Sequence, residues 1–96
     1  MVNSKLEKTA KHIIFIGRVQ GIGFRFTALN IANRCQLTGL VRNLSDGSVE
    51  MIANGYPDDI DDCVRDIKES FAGYIRETRI EEITPKTEYK DFKITF

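Results

Sequence analysis

The run Gly17-Arg18-Val19-Gln20-Gly21-Ile22-Gly23-Phe24-Arg25 holds three glycines within seven positions and closes on an arginine. The residues before it are strand-like and those after it helical, so the run joins a strand to the start of a helix. The first backbone N–H groups of a helix have no partner inside the helix. Glycines at 21 and 23 let successive N–H groups turn toward one point. Such a backbone nest, added to the helix dipole, attracts an anion without a charged side chain. Arg25 falls in the first helical turn beside the same point. Its planar guanidinium can grip phosphate oxygens through two parallel hydrogen bonds, a fork that lysine lacks. The chemistry suggested is recognition of a phosphoryl group. A simple glycine-rich connection is the alternative that the run alone leaves open.

Two better-known phosphate loops do not fit. The Gly-Lys-Ser/Thr ending of a Walker loop is missing. The spacing of Gly17, Gly21 and Gly23 is wrong for a dinucleotide fingerprint, and no parallel βαβ unit follows. Other reactive residue types find ordinary explanations. His12 precedes the loop on a strand and reads as a strand histidine. Asp58, Asp59, Asp61 and Asp62 crowd a helix start, where the dipole favours carboxylates, so no metal site is expected there. Cys35 and Cys63 fall at apolar helix positions and read as reduced, buried thiols. Two cysteines and one histidine fall short of a structural zinc set. No metal and no cofactor is expected.

The elements that must hold the loop follow from periodicity. Residues 1–10 are polar and aperiodic and read as a tail, with the domain over 11–96. Lys11 to Val19 is rich in β-branched and aromatic residues and predicts a strand. Phe24, Ala28, Ile31, Ala32 and Cys35 recur at helical spacing, and Gln36 to Gly39 ends that helix, with Gly39 the expected left-handed stop. Leu40–Leu44 and Ser48–Ala53 predict a hairpin around Ser45-Asp46-Gly47. Pro57 opens a second helix, whose buried stripe is Ile60, Cys63, Val64, Ile67 and Phe71. Arg79–Ile83 predicts a fourth strand, Thr84–Asp91 a loop containing Pro85, and Phe92–Phe96 a closing strand. The order β-α-β-β-α-β, with one short extra strand, predicts an α+β ferredoxin-like sandwich: an antiparallel sheet with two helices on one face.

Composition bounds the function classes. A length of 96 residues suits one compact domain. Fourteen basic and fourteen acidic residues cancel, so the basic excess of a general nucleic-acid binder is absent. The longest apolar run, Ile13-Ile14-Phe15-Ile16, is too short to span a bilayer. The first eight residues lack the apolar core of a secretory signal. A cytoplasmic monomer that binds neither nucleic acid nor membrane is expected.

Gly17 to Arg25 resembles the acylphosphatase signature G-R-V-Q-G-V-G-F-R, departing from it only at Ile22. A second signature of that family is matched by Gly39-Leu40-Val41-Arg42-Asn43 followed by Gly47-Ser48-Val49, with Leu40 where an aromatic is usual. The resemblance spans roughly residues 11–96. It implies an enzyme that hydrolyses the carboxyl–phosphate bond of acyl phosphates, with inorganic phosphate as product and inhibitor. It further implies that Arg25 binds the substrate phosphate and that Asn43 positions the attacking water. The backbone of Val19, Gln20, Gly21, Ile22, Gly23 and Phe24 would form the phosphate-binding loop. By itself Asn43 is an ordinary residue at a strand-to-turn junction. The alternative to the enzyme is a non-catalytic or carbamoyl-phosphate-binding module of the same kind.

Overall fold

A computed structural model describes residues 7–85 and 89–96. The elements are β1 (Thr9–Gly17), α1 (Phe24–Arg34), β2 (Thr38–Asn43), β3 (Val49–Gly55), α2 (Pro57–Ser70), β4 (Ile75–Ile83) and β5 (Phe92–Thr95). They form one five-stranded sheet in the order β4-β1-β3-β2-β5. The ferredoxin-like sandwich of the sequence reading is present. The antiparallel sheet needs one correction, because β5 lies parallel to β2. β4 and β5 occupy opposite edges of the sheet, and β5 runs in the direction of β2. The other three pairings are antiparallel.

Alternation along each strand sends one set of side chains under the helices. Ile13 and Phe15 of β1, Val41 of β2, Val49, Met51 and Ala53 of β3 and Phe92 of β5 are buried there. From above they meet Phe24, Ala28, Ile31 and Ala32 of α1 and Ile60, Cys63, Val64 and Ile67 of α2. The other sheet face carries a polar ladder. His12 Nε2 lies 2.7 Å from a Glu50 carboxylate oxygen, and Arg42 pairs with the other oxygen. Burial alone would raise the Glu50 carboxyl. The hydrogen bonds from His12 and Arg42, with their charges, hold it below its ordinary value. His12 is thus a cross-strand hydrogen-bond partner of Glu50 on the sheet face away from the helices.

Several boundaries differ from the sequence reading. β1 opens at Thr9, so Thr9 and Ala10 pair in the sheet with β3 and Ala10 is buried. Residues 1–6 of the expected tail lie outside the described residues. β1 ends at Gly17, two residues short of Val19. β4 starts at Ile75, four residues earlier than Arg79. Its first half pairs with β1 and is mostly exposed, so its sequence shows no apolar alternation. Residues 86–88 of the expected loop are also outside the described residues.

The stop of α1 is Gln36, not Gly39. Gln36 takes φ 60°. Its N–H bonds the Asn33 carbonyl at 3.1 Å, and the Leu37 N–H bonds that of Ala32 at 3.0 Å. This is the Schellman arrangement, with buried Leu37 as its apolar clasp. Gly39 lies within β2 instead, where a Cβ would stand 1.8 Å from the Ile52 carbonyl oxygen.

The two cysteines are free. Burial pushes the Cys63 thiol up to about 12. Cys35 is only partly buried, and burial followed by the Asp66 and Asp62 charges raises its thiol too. Among the four acids near the start of α2, Asp62 pairs with Arg65 at 3.0 Å and Asp61 reaches Lys11 at 3.4 Å.

Candidate active site

Strand directions bring four pieces of chain to one end of the sheet. β1 finishes there and β3 begins there, since Phe15 pairs with Val49. β2 also finishes there, with Asn43 opposite Val49. β5 runs parallel to β2, so its last residues arrive at the same end. Over that end sits the first turn of α1.

The start of α1 is held from beneath. Phe24 is buried, its ring 5.1 Å from Phe15 and 4.5 Å from Phe71 between centroids. Such aromatic packing fixes the helix origin relative to the sheet. Val19 is likewise buried and anchors the loop. Between these anchors Gly21 and Gly23 adopt φ 80° and 78°. A residue with a Cβ avoids this conformation.

Gly23 is the N-cap of α1, and no side chain caps the helix. The first intrahelical bond is Thr27 N–H to Gly23 O at 3.0 Å. The N–H groups of Phe24, Arg25 and Phe26 therefore precede the helical ladder. No acidic residue lies in the first turn of α1. Among the described residues, no carboxylate pairs with Arg25. Its guanidinium instead lies over the Phe96 ring, 4.9 Å from the centroid.

These groups surround a cavity of about 210 Å³, lined by Val19, Gly21, Gly23, Phe24, Arg25, Phe26, Asn43, Ile94 and Phe96. Strand parity explains Asn43. It lies two residues beyond buried Val41 and so points to the helix side, whereas Arg42 points to the other face. Of the site residues expected from sequence, Arg25, Asn43, Val19, Gly21, Gly23 and Phe24 line this cavity.

Two loop residues do not line the cavity. Ile22 is exposed. Gln20 turns its side chain to the β2–β3 hairpin, where Nε2–H groups donate to the Leu44 carbonyl at 2.8 Å and the Ser48 carbonyl at 2.9 Å. Leu40 also stays outside, half-buried on the far sheet face beside its pairing partners Ile52 and Lys93. Its departure from the usual aromatic falls away from the cavity.

Three lining residues were absent from the sequence reading: Phe26, Ile94 and Phe96. Phe26 is out of phase with the apolar stripe of α1 and is exposed. An aromatic on the wrong helix face beside the glycine-rich loop was the available signal. Ile94 and Phe96 share the parity of buried Phe92. That parity points to the cavity only once β5 is known to flank β2.

The family model "Acylphosphatase" matches residues 11–94. The acylphosphatase of Nostoc sp. is 48% identical over 54 residues, which span 56% of this chain and 54% of that relative. The acylphosphatase of Lactiplantibacillus plantarum is 40% identical over 82 residues, covering 82% of this chain and 89% of the relative. Among solved structures, an acylphosphatase from Coxiella burnetii superposes with a TM-score of 0.83 at 32% identity. That match covers 99% of this chain and 100% of the other. HypF of T. kodakarensis gives a TM-score of 0.80 at 30% identity over 92% of this chain but only 12% of its own length. With the family model matching residues 11–94 and acylphosphatase structures sharing the fold, this chain belongs to the acylphosphatase family.

Proposed function

We infer that this chain hydrolyses acyl phosphates to a carboxylate and inorganic phosphate. One observation carries the reading: the open start of α1, Arg25 and Asn43 face a single cavity. Relatives named as acylphosphatases that align over most of the chain support it.

An acyl phosphate is a mixed anhydride and is already activated. The protein needs no covalent nucleophile. Its tasks are to hold the phosphoryl group, to stabilise charge on its oxygens and to place one water in line. In our reading the N–H groups of Val19 to Phe24 and the Arg25 fork perform the first two. They stand in place before the substrate arrives, which is what makes such donors effective.

Asn43 accepts a hydrogen bond from the water through Oδ1 and retains two N–H donors for a phosphate oxygen. A carboxamide is no base at neutral pH. The water's proton therefore passes to an oxygen of the substrate's own phosphate as the new P–O bond forms and the bond to the carboxylate oxygen breaks. The acyl end of the substrate would meet Phe26, Ile94 and Phe96. No step calls on a metal, and a chelator should leave the rate unchanged.

Every group in this mechanism comes from one chain, so the site is complete in a monomer. Two unpaired cysteines fit a reducing compartment such as the cytoplasm. Inorganic phosphate, which shares the group that the loop binds, should inhibit competitively.

The likeness to a 12% portion of HypF favours one other reading, an acylphosphatase-like binding module. Incubation with a synthetic aryl acyl phosphate separates the two. Catalytic loss of the substrate that disappears in Arg25→Ala supports the enzyme. Stoichiometric binding without turnover would leave the module.

A further inference from the structure

Gln20 enters the reaction above only through its backbone, yet its side chain makes the most specific link between the two halves of the site. Its half-buried amide nitrogen donates to Leu44 O at 2.8 Å and Ser48 O at 2.9 Å, across 24 and 28 residues of chain. Those carbonyls flank the turn that begins immediately after Asn43. Both facing atoms are acceptors, so the amide must present NH₂ to them.

The turn does not need these bonds to close. Leu44 N–H already donates to Ser48 O at 2.9 Å, and Gly47 N–H to Leu44 O at 3.2 Å. Asp46 adds a third tie by accepting the Ser48 N–H at 2.9 Å. Each carbonyl would keep a partner if Gln20 were removed. The remaining effect of the amide is to fix the anion loop against the strand end that carries Asn43.

We propose that Gln20 is a positioning residue: its amide clamps the β2–β3 hairpin to the phosphate loop and so sets the Asn43-held water in line with the bound phosphoryl group. The proposal rests on the reading of Asn43 given above. Phosphate binding depends on the loop and Arg25 and does not need the clamp. In-line attack depends on the distance between loop and hairpin, and misplacement of about 1 Å can cost on the order of 100-fold in rate. Methionine matches the length of glutamine but donates nothing. Glutamate keeps the shape, but when ionised it sets a carboxylate against two carbonyl oxygens.

The test compares the unchanged protein with Gln20→Met, Gln20→Glu, Asn43→Ala and the Gln20→Met/Asn43→Ala pair. A synthetic aryl acyl phosphate reports kcat and KM, and inorganic phosphate titration reports affinity for the anion. Gln20→Met should lower kcat by roughly 10- to 100-fold and leave phosphate affinity near that of the unchanged protein. The paired variant should be no slower than Asn43→Ala alone, because the clamp acts through Asn43. The rate of Gln20→Glu relative to the unchanged protein should recover as the pH falls and the carboxyl regains a hydrogen to donate. This profile serves as a second readout if Gln20→Met folds poorly.

Three results would overturn the proposal: unchanged kcat in Gln20→Met, parallel losses of kcat and phosphate affinity, or losses that multiply in the pair. Full turnover in Asn43→Ala would remove the underlying reading and the clamp with it. An impaired Asn43→Ala beside an unimpaired Gln20→Met would remove the clamp alone.

Discussion

The two helices begin in opposite ways. α1 starts at a left-handed glycine, has no acid in its first turn, and places Arg25 there. α2 starts at Tyr56, has proline in its first turn and carries Asp58 and Asp59 beside it. A helix start has a partial positive charge and unpaired N–H groups. At α2 the sequence supplies its own negative charge to that end. At α1 it supplies none and adds a positive charge. In our reading, one structural device thus serves stability at α2 and binding at α1, according to a few residues in the first turn.

The contrast breaks most directly at Arg25. Arg25→Ala should lower kcat on the order of 100- to 1000-fold, measured by steady-state hydrolysis of an aryl acyl phosphate. Arg25→Lys should recover little of it, because the charge returns without the fork. Activity near that of the unchanged protein in either variant would mean that the start of α1 does not bind the reacting group.

Gly23→Ala tests the backbone at the cap. A Cβ there meets nothing within 4 Å, so the cost is strain at positive φ, about 1–2 kcal/mol of stability. Denaturant unfolding measures it, and phosphate affinity should fall with it as the loop relaxes. Phe26→Asp then makes α1 resemble α2. Phosphate affinity should drop by roughly tenfold at low salt, about 1.4 kcal/mol, and the loss should shrink as salt screens the exposed charge. The smallest change is expected from Asp59→Asn in α2. It should cost about 0.3–1 kcal/mol in unfolding experiments and leave hydrolysis untouched. An activity loss there would show that the two helix starts are not independent.

The sequence was readable where a role is local. Gly21, Gly23 and Arg25 sit within five residues of one another, and a strand-to-helix loop brings them together whatever the rest of the chain does. The apolar stripes of both helices and the β2–β3 hairpin are legible for the same reason. Roles that depend on distant pairing were hidden. The Gln20 amide finds its acceptors more than twenty residues away. Phe96 reaches Arg25 only because β5 joins the sheet parallel to β2. The early half of β4 gives no apolar signal because an edge strand is held by backbone bonds to one neighbour. The stop at Gln36 was missed because a glycine nearby looked the more natural choice. That glycine is required by close approach to Ile52 instead.

Among the described residues, the wall of the cavity contains no aspartate, glutamate, histidine, lysine, cysteine or tyrosine. Its polar members are main-chain amides, a carboxamide and a guanidinium. The phosphoryl group that the substrate would bring into this pocket is itself an acid. Any bend in a plot of rate against acidity for the unchanged protein should therefore follow the identity of the substrate.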